Sequence, residues 1–458
     1  MNRWYPMNET SLSFRKSLEN NRSIPHTRAI RKKRERMIFM SSRYWLISGV
    51  FLLACLSNCS EASSELVVQR PTPRANPSIR PVNDRPLPEP YATESVRNRS
   101  TVIERPDGAQ LHLPEGFQIR EYTPDFTFQR PRFMVLGPSG EVLVSDSHDE
   151  GTVYVLQDTD QDGVADKRSS LIEEMYRPYG IAFWQDYVYV AGTYEIKRWK
   201  YNPSSMTVSG PGETVVSWPG FTGSHWTRTL IFNSEGTKMF VSIGSASNVD
   251  AGGDPRRAAI NVYNPDGTGH ELYAEGLRNA VGMDFYPGTQ QIWVSVQERD
   301  QLGDDLVPDF FTSVNEGEFF GWPYAYIGPH EDPRRQGEKP ELVEITRYPD
   351  VLFPSHCGML DIEFYTASSF PEKYQGGAFL ACHGSWNRSQ RIGYRVDFVP
   401  FKDGQPTSGP EEFISGWMLD PGKKEVWGRP VGILQLPDGS LLISDDGGKK
   451  LWRVSYTG

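Results

Sequence analysis

The chain has 458 residues, 12% of them aromatic, with 42 glycines and 35 prolines, a composition that suits many short strands joined by tight turns and argues against a helical protein. Its net charge of −10 is unevenly placed: residues 1–43 carry 11 Lys or Arg against three acids, and the remainder is left at −18. A body that acidic repels phosphate backbones, which excludes nucleic acid as a partner.

In chain order, the basic start leads into Trp45–Leu56, a mostly apolar run too short to span a bilayer but suited to the core of a secretion signal. Met37 and Met40 are alternative starts. Residues 1–60 are therefore expected to be an N-terminal extension with an export signal, delivering the body to the periplasm or cell envelope of a bacterium. Leu56-Ser-Asn-Cys59 resembles a lipoprotein processing box, with Asn58 where a small residue is usual. Lipidation of Cys59, giving a membrane anchor, and plain cleavage are both open. Residues 61–110, rich in Pro, Arg, Asn and Ser and without apolar periodicity, read as a disordered linker.

The body, residues 111–458, carries an internal repeat: an apolar strand, a turn with Gly or Pro, and a second apolar strand ending in a small or polar residue. The pairs are Pro131–Leu136 with Val142–Ser145, Pro178–Phe183 with Tyr187–Val190, Arg228–Phe232 with Met239–Ser242, Ala280–Phe285 with Ile292–Ser295, Met359–Phe364 with Ala378–Ala381, and Pro430–Gln435 with Leu441–Ser444. Starts are 47, 50, 52, 79 and 71 residues apart, so the last two intervals hold inserted loops. Six copies predict an all-β, six-bladed β-propeller with four-stranded antiparallel blades. Gly116–Tyr122 is expected to close the ring as the outer strand of the last blade, beside Leu451–Tyr456, which covers two open sheet edges.

The first two strands of a blade are antiparallel, so the start of one and the end of the next meet at one end of the channel. That rule collects Ser224, His225, Arg228, Arg278, Asn279, His356, Trp427 and Arg429 from the first strands. From the second strands it adds 245–248, Gln297 to Asp300, His383 to Arg388, Asp445 and Asp446. An Arg at a strand start also serves as a blade-to-blade salt bridge, and a lone turn His as a solvated side chain. The convergence of the set is what points to an anionic ligand with several carboxylates, gripped by forked donors, beside an imidazole able to take a proton.

Two further features stand apart. Cys357 and Cys382 fall on neighbouring strands and either pair or pack as buried apolar residues. Asp158-Thr-Asp-Gln-Asp-Gly-Val-Ala-Asp166 has the front half of an EF-hand loop, with Asp158, Asp160, Asp162 and Asp166 as candidate calcium ligands, but position twelve is Ser169. An acidic hairpin turn is the alternative.

Residues 115–456 resemble the soluble glucose/sorbosone dehydrogenase family, which uses pyrroloquinoline quinone. The resemblance rests on Ser224–Phe232, Glu275–Gly282, Gln297-Glu-Arg-Asp300 with Gly303–Leu306, Phe320–Tyr324, His383-Gly-Ser-Trp-Asn-Arg388 and Gly428–Gly432. It implies a quinone lying flat over the channel mouth. His225 would be the general base toward a sugar hydroxyl, and Arg278 would polarise the quinone carbonyl. Asn279, Gln297, Arg388 and Arg429 would hold the cofactor, and calcium would be met by main-chain carbonyls at Glu298 and Arg299. The partners implied are a small sugar and an external electron acceptor. Ser224 before the histidine, Glu298-Arg299 after the glutamine, and Trp427 in place of a clamping arginine depart from the glucose-oxidising branch and point to the sorbosone-like one. Two other readings compete: a calcium-dependent lactone or ester hydrolase, and a non-catalytic sugar- or protein-binding propeller.

Overall fold

A computed structural model describes residues 80–221 and 225–458. The export segment with Cys59, residues 61–79 of the linker, and Thr222 to Ser224 lie outside the described residues.

Six four-stranded antiparallel sheets follow one another around an axis, each beginning with the innermost strand. Those innermost strands are Pro131–Leu136, Ile181–Trp184, Arg228–Phe232, Ala280–Phe285, Met359–Phe364 and Pro430–Gln435, in blades one to six. The expected closure is present: Phe117–Glu121 forms the outer strand of blade six, in register from Phe117 opposite Tyr456 to Glu121 opposite Trp452. Phe117 locks that seam by standing edge-on to Phe370, Phe413 and Tyr374, at centroid distances of 4.8, 5.0 and 5.3 Å.

The repeat has a physical cause at the axis. In blades two, four and six a glycine on or just before the inner strand stands where the next blade's backbone passes: a Cβ on Gly180 would lie 2.6 Å from the Arg228 carbonyl, on Gly282 2.6 Å from that of Leu360, and on Gly432 2.3 Å from that of Arg132. The small polar residue ending the second strand is the matching part. Ser295 Oγ accepts the Gly282 amide and donates to the Leu360 carbonyl, and Ser444 Oγ links Gly432 to the Arg132 carbonyl in the same way. One glycine and one serine thus join blades four and six to their neighbours, while at blade two the Gly180 amide donates directly to the Arg228 carbonyl.

Residues 80–110, expected as a disordered linker, instead form an extended strap over the loops of blades four to six. Val82 and Asn83 bond to Asp350 and Leu352 on the outer strand of blade four. Tyr91 then donates to Leu302, Asn98 to Trp386, and Thr101–Val102 pairs in parallel with Glu425–Val426. Asn387 reaches back to the Val96 carbonyl. The strap is held mainly by its own amides and polar side chains, with Leu87, Ile103 and Ala109 as scattered apolar contacts, so composition misread it.

Cys357 and Cys382 are both buried free thiols, their sulfurs 3.2 Å apart, in contact but not bridged.

At the axis there is no room for even one methyl group. Gly282→Ala is expected to destabilise the protein by about 1–3 kcal/mol through overpacking against fixed backbone; urea unfolding gives the value, and an unchanged midpoint would contradict the close approach.

Candidate functional site

Six apolar side chains, one for each blade, close the channel just below the predicted mouth. They are Phe133, Tyr179, Val281, Leu360 and Val431, with Trp226 leading into blade three. Above this floor the chain turns in the connections between blades and in the loops after each second strand, where the sequence placed its polar set.

His225 enters at blade three. Its Nδ1 lies 2.9 Å from the Ser245 carbonyl and 3.0 Å from Ser245 Oγ, while that hydroxyl donates to the Ser247 carbonyl. A carbonyl only accepts, so Nδ1 carries the proton and Nε2 keeps its lone pair. Burial, then the positive charge of Arg278, brings the imidazole down to about 3, so it is neutral near neutral pH. Its neighbour is Asn279, close enough that a Cβ on Gly244 would lie 2.1 Å from Asn279 Oδ1 and 2.6 Å from His225 Cβ. Asn279 donates to Gln297 Oε1 and Gln297 to the Met359 carbonyl, while Asn279 Oδ1 is buried without a partner. His225, Asn279 and Gln297 therefore come together as expected.

Arg278 lies in the same group, but its donors are occupied. Nε bonds to the Asn248 carbonyl, Nη2 to Asn248 Oδ1 and Asp300 Oδ2, and Nη1 to the Glu298 carbonyl at 2.7 Å and, weakly, the Gln297 carbonyl at 3.5 Å. A guanidinium has five N–H groups, so Arg278 acts here by its charge, with only the 3.5 Å bond weak enough to be exchanged for a ligand. Asp300, which Arg278 and His356 hold below the ordinary carboxylate range against the effect of burial, fixes its position.

The calcium site that the resemblance implied would use the main-chain carbonyls of Glu298 and Arg299, and the first of these is already engaged. The Glu298 carbonyl accepts Arg278, which would set a dication against a guanidinium. The Arg299 side chain is 0% exposed and bonds to Glu298, Asp332 and the carbonyls of Pro323 and Ala325. Its work is to tie the inserted segment 317–340 to the rim, where Trp322 Nε1 meets the Asn248 carbonyl. Glu298 and Asp332 repel a second anion but neutralise a buried cation, which is why Arg299 belongs to the wall and not to the ligand.

Blades six and one supply the second group. Asp446 accepts His383 Nε2 at 2.8 Å, pairs with Arg132, and lies 3.7 Å from Arg130. Burial alone would raise this carboxyl, yet Arg132, His383 and Arg429 hold it far below the usual range. Arg429 spends two of its five N–H groups on long bonds, 3.2 Å to the His383 carbonyl and 3.4 Å to that of Gly384. It is the better placed of the two expected clamps. Arg388 is committed to the 304–305 loop, through the Asp304 carbonyl and Asp305 at 2.7 Å. Trp427 is buried, its Nε1 donating to the Gly416 carbonyl. The two groups meet at Trp226, whose ring lies 4.9 Å from the guanidinium of Arg130 and 5.4 Å from that of Arg132. Arg130, Arg132 and Trp226 were missed from the sequence; the signal for Arg132 was present, at the second position of the first inner strand.

The Asp158 loop connects the outer two strands of blade one, at the opposite end from the mouth. Ligand oxygens of Asp158, Asp160 and Asp162 lie within 4.8 Å of one another. Asp166 does not join them, being bound by Thr159.

The family model described as TrAA12-like matches residues 111–316 and 341–457. An uncharacterized protein of Borreliella burgdorferi is 28% identical over 360 residues, covering 76% of this chain and 91% of that relative. A pyrroloquinoline quinone-dependent pyranose dehydrogenase of Coprinopsis cinerea is 23% identical over 400 residues, covering 74% of this chain but 53% of that relative. The chain thus spans about half the length of that longer protein. A calcium structure of Trichoderma reesei Carbohydrate-Active Enzymes Family AA12 superposes with a TM-score of 0.65 at 22% identity, over 78% of this chain and 99% of the other. The last likeness speaks for the fold alone.

Removing the carboxylate that the second group shares would leave buried guanidiniums uncompensated. Asp446→Asn is expected to cost about 3–5 kcal/mol near neutral pH. Because the folded-state pKa is depressed, this stability is present above the ordinary carboxylate range and is lost as pH falls through and below about 4, so the variant's stability should depend less on acid than the parent's. Thermal unfolding between pH 3 and 7 measures both effects.

Proposed function

The chain belongs to the TrAA12-like family, and from that premise we propose that it is a quinoprotein dehydrogenase oxidising an aldose or related sugar aldehyde, with pyrroloquinoline quinone at the propeller mouth. The observation that carries this reading is the neutral His225, protonated on Nδ1 and with no partner on Nε2 among the described residues, at a rim that also holds the guanidiniums of Arg130, Arg132, Arg278 and Arg429. The donor set fits a flat anion: Arg429 has N–H groups in reserve and Arg132 Nε is buried without a partner.

Pyrroloquinoline quinone supplies a two-electron acceptor for hydride. His225 would take the proton of the sugar hydroxyl at Nε2 while Ser245 holds the ring by Nδ1. A general base so positioned contributes about 10²–10⁴-fold. Arg278 would keep the imidazole unprotonated in the resting site and stabilise negative charge that develops nearby, by field rather than by a strong hydrogen bond. The apolar floor excludes water from below. The strap and the 317–340 segment, both outside the family match, wall the rim and are the segments we expect to set substrate choice.

The rim carboxylates Asp300 and Asp446 are already tied to guanidiniums, which favours an anionic guest over the central dication that a hydrolase of this architecture would need. The sorbosone-like branch, the export signal, the lipid anchor and the external electron acceptor are proposals from sequence. Calcium is proposed as a structural ion at Asp158, Asp160 and Asp162, and at the mouth through the carbonyls of Glu298 and Arg299 as the resemblance implies.

His225→Ala is expected to lower kcat/KM for the preferred aldose by about 10²–10⁴-fold in a dye-reduction assay, with quinone binding retained. In the parent, the acid limb belonging to His225 should lie below pH 5, since its base form is lost only as pH falls toward about 3. Dye reduction unaffected by the substitution would remove His225 as the base. Chelation should lower the melting temperature of the parent but leave that of Asp160→Asn unchanged, as differential scanning with and without added calcium would show.

A further inference from the structure

Blade one enters the mouth through Gln129-Arg130-Pro131-Arg132, and the Gln129 and Arg130 amides are both held by the Asp146 carboxylate. This fixes two guanidiniums on one side of the rim. Arg132 is 4% exposed; one end pairs with Asp446 while its Nε has no partner. The Arg130 side chain is 38% exposed, with Asp446 no closer than 3.7 Å. Arg429 acts on the same carboxylate, so three guanidiniums face Asp446 and the neighbouring Asp445. Burial, then Arg132, pushes the Arg130 guanidinium down to about 10, the mark of positive charge without enough compensation. Under both guanidiniums lies the half-buried ring of Trp226, the residue directly after His225. An orphaned buried donor, a half-exposed cation and an aromatic surface beside the base together describe a seat for a planar polycarboxylate.

We propose that Arg130 and Arg132, backed by the ring of Trp226, form the seat that grips the carboxylate edge of the quinone. This rests on the quinoprotein reading and assigns that edge to blade one, a part of the rim that none of the recognisable motifs contains. Arg388, by contrast, holds a loop.

The test is binding of pyrroloquinoline quinone to the full chain without sugar, followed by titration calorimetry and by quenching of tryptophan fluorescence. Arg130→Gln leaves Asp446 paired with Arg132 and so spares the fold; it is expected to weaken binding about tenfold to a hundredfold, the range of one charge-assisted contact. Its affinity should also fall less steeply with salt than the parent's. Trp226→Phe keeps an aromatic surface and should retain binding within a few fold while losing much of the quench. Parent binding with unchanged affinity in Arg130→Gln and unchanged quench in Trp226→Phe would overturn this assignment and leave the quinoprotein reading standing. No binding by the parent would overturn both.

Discussion

The structure depends on how closely the inner strands approach one another around the axis. At Gly180, Gly282 and Gly432 the backbone of one blade runs so near the next that a side chain would meet a carbonyl oxygen at 2.3–2.6 Å. Ser295 and Ser444 turn that proximity into hydrogen bonds. Close packing of this kind has discrete solutions, because backbone on both sides cannot yield. The ring therefore sets the positions of the six strand starts, and through them of every polar group at the mouth.

On that frame the rim is organised by charge. Each of its two groups has a carboxylate at its centre, Asp300 in one and Asp446 in the other, with arginines arranged around it. The first is nearly saturated: Arg278 has spent its donors and works on His225 by field alone. The second is richer in cations, with Arg429, Arg130 and Arg132 around Asp446 and Asp445 beside them. One side of the mouth is thus built to hold a base neutral and in one tautomer, and the other to receive negative charge. Trp226, following the base in sequence and lying under the arginines of blade one, is where the two sides join.

The strap of residues 80–110 and the insertion 317–340 add the walls. Both are held in large part by backbone amides and by Asn, Arg and Trp side chains reaching loop carbonyls, and the insertion also buries Phe320, Tyr326 and Ile327 in the core. Arg299 shows the same economy. Wholly buried, it is matched by two acids and two carbonyls, and fastens the insertion beneath the rim.

The number of blades, the closing strand and the membership of His225, Asn279, Gln297 and Arg429 in one end of the ring were legible in the sequence. Alternation and strand direction are local properties, and a repeat makes them add. Which partner each arginine takes was not legible. Arg278, Arg299, Arg388 and Arg132 are alike as residues at strand or loop ends, yet one shapes the base, two fasten walls and one faces the anion seat. That division rests on distances between side chains from different blades, set by loops whose paths no local pattern encodes. The same reason hid the strap: its residues order only because carbonyls and amides of blades four to six stand ready to pair with them, an arrangement that exists only once the ring has closed.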